Sequence, residues 1–180
     1  MATKSDVVGR AVVASLAAGL TAAAAEMVIV IPAQAALGVS PARVFQFIAS
    51  GALGKTAYVS GAFGVAVGIA AHLLISLVAA GVYVAVLLRI PALGRRPLIG
   101  GAAFGLFVYL MMTFIIVPLS RIGPQPLPSR ILAAISVAVH LFAFGVPLAL
   151  VATSLLRERI GRTPLTIAWH RSVPVDRRHS

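Results

Sequence analysis

The chain has 180 residues, of which 60% are hydrophobic and 11% charged. Average soluble domains carry about 25% charged residues, so this composition, with a mean hydropathy of +1.03, excludes an ordinary water-soluble globule and points to a protein solvated by lipid. The absence of cysteine excludes disulfides and thiolate metal sites, and the net charge of +11 is accounted for by orientation in a membrane, so nucleic acid is not expected as a partner.

Crossing the hydrocarbon takes about 20 apolar residues in a helix, and four such stretches use up most of the chain. The first span is predicted over 8–31, ending at Pro32. Residues 1–25 also resemble a cleavable leader, with a basic start and an Ala-rich run before Glu26. The apolar run continues from Met27 to Ile31, which favours an uncleaved span. A short helix over 41–53 follows. Ser40 is its N-cap, Pro41 its first residue and Gly54 its C-cap. It is too short to span, and its apolar side (Val44, Phe45, Phe47, Ile48) suits either the membrane interface or the mouth of a bundle. The second span is predicted over 61–88, followed by a basic turn, 89–97. The third runs over 98–117 and ends at Pro118. A Pro-rich connector with Pro124, Pro126 and Pro128 leads to the fourth, 129–156, in which Pro147 predicts a bend. The expected organisation is one all-α membrane domain, 1–156, and a basic cytoplasmic tail, 157–180. In the tail Trp169 is either a headgroup anchor or part of a disordered segment.

Lys and Arg set the orientation. Eleven fall in the N-terminus, the 89–97 turn and the tail; the opposite side carries Arg43, Lys55, Arg121 and Arg130. The positive-inside rule then puts both termini in the cytoplasm.

The spans also pair up as two hairpins. Glu26 precedes Pro32 by six residues, as Met112 precedes Pro118, and His72 and His140 occupy matching places in the second and fourth spans. Such parallel repeats are known in membrane proteins. Each span carries a stripe of small or polar residues, including the GxxxG pairs Gly64–Gly68 and Gly101–Gly105. Small residues let membrane helices approach closely, so these stripes are expected to face one another.

The run 40–51, which begins Ser40-Pro41, together with Ala71-His72-Leu73, Pro118-Leu119-Ser120 and His140, resembles a group of uncharacterised bacterial four-span proteins and, more distantly, the YagU-like inner-membrane family. The resemblance covers about residues 8–156. It implies a multi-pass protein of the bacterial inner membrane and carries over no catalytic residue.

Ionisable residues inside a span cost about 2.5–3.5 kcal/mol on insertion scales and usually face protein or a water cavity. Three qualify: Glu26, His72 and His140. Glu26 is expected to reach the outer interface or pair with Arg43, Lys55 or Arg130; the other reading is a proton- or cation-binding group. The histidines are expected to act as neutral packing glue, near one another at the same depth in the bundle interior. A solute or proton pathway is the alternative, and bis-His haem or metal ligation a remote one. No acidic pair, phosphate loop, zinc helix or nucleophile elbow is present, so an enzyme is not expected, nor a cofactor. The primary expectation is an accessory or structural subunit whose partners are the lipid bilayer and either copies of itself or other membrane subunits. The alternative is a small-solute or proton binding or permeation protein using Glu26, His72 and His140. A dry bundle would favour the first and a polar cavity the second.

Overall fold

The computed structural model describes residues 4–126 and 128–160; most of the tail, with Trp169, lies outside the described residues. Four helices are long and apolar enough to cross a bilayer: Ser5–Ala36, Gly61–Arg89, Pro97–Leu119 and Arg130–Arg157. We label the five principal helices α1 (Lys4–Ala36), α2 (Pro41–Leu53), α3 (Gly61–Arg89), α4 (Pro97–Leu119) and α5 (Arg130–Arg157). No strand occurs among the described residues.

α1 lies between α3 and α5, and α4 packs on α5. α3 and α4 are joined by a short 3₁₀ turn, Pro91–Arg95, and touch near it through the edge-on rings of Tyr83 and Phe104, 5.1 Å apart. This turn end of the bundle is sealed. Ala14, Ala18 and Ala22 of α1 interlock with Ala80, Tyr83, Val84 and Leu87 of α3 and with Leu148, Ala149, Ala152 and Leu156 of α5. Large side chains from α3 and α5 fill the space that the alanines of α1 leave, so dispersion contacts are dense. The hydroxyls of Tyr83 and Thr153 are buried here without a hydrogen-bond partner among the described residues.

α2 has the caps that its sequence predicts. Ser40 Oγ accepts from the Arg43 amide at 3.3 Å, and Gly54 takes the positive φ of 62° that a residue with a Cβ disfavours. α2 lies along α3, burying Val44, Gln46, Ala49 and Ser50. Its end is tied to the end of α4: the Arg121 amide donates to the Gly51 carbonyl at 3.0 Å, and Arg121 Nη1 to the Ala52 carbonyl at 3.4 Å.

Three sequence expectations need correction. α1 does not stop at Pro32 but runs on to Ala36. Proline there removes only the bond to the Val28 carbonyl, and one further turn forms beyond it. α4 likewise continues through Pro118 to Leu119. Finally, the Gly64–Gly68 pair does not meet another span. A Cβ on Gly68 would collide with the Phe45 carbonyl, and one on Gly64 with the Ala57 carbonyl, so this stripe seats α2 and the 3₁₀ turn Gly54–Tyr58 that follows it. Gly101 and Gly105 do bring two spans together. A Cβ on Gly101 would lie 2.6 Å from the Gly145 carbonyl, and one on Gly105 would strike the carbonyl of His140.

Before Pro147, where the sequence predicts a bend, the helix widens into a π-turn, Val139–Gly145, and a second, Met112–Ile116, precedes Pro118. Each proline follows its π-turn by two residues. Its ring cannot accept the close approach of the carbonyl four residues back, Ala143 or Phe114, and a widened turn relieves that clash.

Candidate functional site

Away from the turn end the helices leave between them a half-open cavity of about 710 Å³. All four spans and α2 line it. Val108, Phe144 and Ser76 form its floor, since they also border the sealed core. Glu26, His72 and His140 all reach it. Glu26 lies ten residues before the end of α1 and His72 eleven after the start of α3, so each sits about 15 Å along its helix from that end.

Glu26 is buried, with 8% of its surface exposed. Its charge partner among the described residues is His140, whose Nε2 is 3.7 Å from Glu26 Oε1; the expected pairing with Arg43, Lys55 or Arg130 is not seen among them. His140 Nδ1 is 2.8 Å from the Ser136 carbonyl one turn earlier. A carbonyl only accepts, so Nδ1 carries hydrogen and the ring is fixed in one orientation. The π-turn holds His140 where its carbonyl meets Gly105 and its ring lies T-shaped against that of Tyr109, 5.4 Å between centroids.

His72 is held separately. Its Nε2 donates across to the Ala23 carbonyl of α1 at 3.3 Å, the interhelical bond that the glue reading anticipates. The two histidines share the cavity, but no contact between their rings is among those described; α1 and its Glu26 come between their helices. Among the described residues no three metal-ligating side chains gather at one point.

Sequence reasoning missed several wall residues. Tyr109 and Thr113 come from α4, Gln34 from α1, and Arg43 and Tyr58 from the α2 segment. Arg43 stacks over Tyr58, its guanidinium carbon 4.3 Å from the ring centroid. Tyr109 had a readable signal: it continues the four-residue step of Gly101 and Gly105. Arg43 had none, because its place depends on where α2 lies. The rest of the wall is apolar, with Met27, Val30, Ile75, Met112, Ile135 and Val139 prominent. The site is thus a greasy chamber with one buried carboxyl–imidazole pair, a second imidazole, and a fixed cation on the α2 side. Compared with known protein families, curated proteins and solved structures, the chain shows no match.

Proposed function

We propose that this chain is a small-solute binding protein of the bilayer, with Glu26, His140 and His72 as the polar contacts of its ligand. The observation that carries the reading is that three ionisable residues from three different spans line one chamber of about 710 Å³. Ligand pockets commonly measure about 300–1,000 Å³. A purely structural subunit gains nothing from such a volume, which forfeits dispersion contacts in every wall, or from holding a carboxyl inside it. The reading assigns no catalytic step. It places the chain in a bacterial inner membrane with both termini in the cytoplasm, on the charge asymmetry and the family resemblance. The chamber then opens on the outer side, with α2 at that interface.

Single Cys substitutions test this cleanly, because the native chain has none. A small membrane-impermeant thiol reagent added outside intact cells is expected to modify Cys at Gln125 and at the chamber positions Met112 and Ser136. Cys at Ala80, Ala152 and Gly94 is expected to stay unmodified. Reaction at Gly94 from outside reverses the orientation. No reaction at Met112 or Ser136, in cells or in detergent, removes the solute-binding reading and returns the accessory role.

A further inference from the structure

The Glu26–His140 contact is within ion-pair reach, and a proton on its facing atoms makes it attractive. His140 Nδ1 already carries hydrogen, since it faces the Ser136 carbonyl at 2.8 Å. The other ring nitrogen, Nε2, faces Glu26 Oε1 at 3.7 Å. Were Nε2 bare and Glu26 ionised, lone pair would face lone pair. One further proton, on the imidazole or on the carboxyl, removes that clash and brings the pair to zero charge either way. Neutrality is what a mostly apolar chamber favours. Loss of that proton leaves the pair itself with a net negative charge, beside which a cation can take the proton's place.

We propose that the chamber exchanges this proton for a monovalent organic cation with an apolar body, an inference that rests on the solute-binding reading above. One positive charge enters as one proton leaves, so the charge of the site is conserved. The cationic group sits at the Glu26 carboxylate, beside the Tyr109 ring, and aromatic faces attract cations. Met27, Val30, Ile75, Met112 and Phe144 accept the body. A bare metal ion suits the chamber poorly: no three ligating side chains gather among the described residues, and a metal ion leaves the apolar volume empty. An anion would find its counter-charge at Arg43 on the α2 side and would leave the carboxyl–imidazole pair unused.

The other titratable or charged groups lining the chamber around Glu26 are His72 on α3, Tyr109 on α4, and Arg43 and Tyr58 on the α2 side. His72 is engaged with the Ala23 carbonyl through Nε2–H. Arg43 is a permanent cation stacked on Tyr58; its charge does not change in the exchange. Among these groups Glu26 and His140 are the two that face each other at ion-pair distance, 3.7 Å, so the exchanged proton is assigned to them.

The full chain, purified in detergent, is titrated with tetraphenylphosphonium and with tetraphenylborate. The two ions have nearly the same shape and opposite charge. The phosphonium is expected to bind at least tenfold more tightly than the borate and to release close to one proton per ion into weakly buffered solution. Its affinity is expected to rise by about tenfold per unit of pH while the pair is protonated. Glu26→Gln should abolish both the preference and the proton release. Glu26→Asp, which keeps the charge on a shorter arm, should retain both, and gel filtration reports whether either variant is folded. Equal or tighter binding of the borate overturns the proposal, as does phosphonium binding without proton release in the native chain. Failure of both ions to bind, while Cys at Met112 and Ser136 remains reactive, also overturns it yet leaves the solute-binding reading standing. Unreactive Cys at those positions overturns both.

Discussion

At the turn end of the bundle, Leu87 and Leu148 are completely buried, and Tyr83, Val84 and Leu156 nearly so. At the other end, the same four helices leave a chamber of about 710 Å³ between them. The difference lies in the side chains that α1 offers and in the course of α4. Near the turn, Ala14, Ala18 and Ala22 let α3 and α5 close on α1. Further along, Glu26, Met27 and Val30 stand where alanines stood, and α2 covers the chamber beside α3. One end holds the fold together. The other has traded packing for space; on the solute-binding reading proposed above, entry is from that side, and passage through the bundle would require the turn end to open.

This contrast is best tested by truncating side chains at the two ends. Leu148→Ala, in the sealed end, is expected to cost about 2–5 kcal/mol, because a fully packed wall cannot relax into the void. Met112→Ala, on the chamber wall, should cost under about 1 kcal/mol, since it enlarges a space already present. Thermal or denaturant unfolding in detergent compares them, and equal losses would show that the chamber end is packed as tightly as the other. Gly105→Ala should be next in size, at about 1–3 kcal/mol. Its new methyl meets a main-chain carbonyl, that of His140, so the helices must part. The matched change at Gly81, which faces open space, should be neutral or slightly favourable; similar effects at the two sites would argue against the α4–α5 contact. The smallest effect is expected from Tyr83→Phe. It removes a buried hydroxyl that has no partner among the described residues, so stability should be unchanged or rise by up to about 1 kcal/mol. A clear loss would reveal a hydrogen bond to Thr153.

Truncation also bears on the N-terminus. A mature protein starting at Glu26 would lack Ala14, Ala18 and Ala22, and with them the face on which the sealed end closes. N-terminal sequencing of the purified protein is expected to find those residues present.

Much of the architecture was legible. Apolar run length marked the four spans, and the Ser40, Pro41 and Gly54 signals bounded α2 closely, because capping is local chemistry. The three candidate polar residues were found by their cost in lipid, and the structure brings all three to one chamber. What escaped was set by tertiary placement. The glycine stripes were expected to face one another, but α2 occupied the Gly64–Gly68 stripe, and nothing local to that stripe says which helix will seat there. The partner of Glu26 was sought among permanent cations on the outer loops, whereas a histidine three spans further along the chain supplies it. The chamber itself comes from the way α3, α4 and α2 are spread around it, which no single helix encodes.

The π-turn Val139–Gly145 has an evolutionary side. A widened turn accommodates one residue more than an α-helix spanning the same rise, so in descent it reads as a retained insertion. A relative one residue shorter between 139 and 145 would still cross the membrane and still hydrophobically match it. The remainder of its helix would, however, be rotated by about 100° relative to this one, and a histidine placed like His140 would lose its aim at the carboxyl of α1. Chain length in that one turn, as much as the histidine itself, therefore decides whether the imidazole faces the carboxyl of α1.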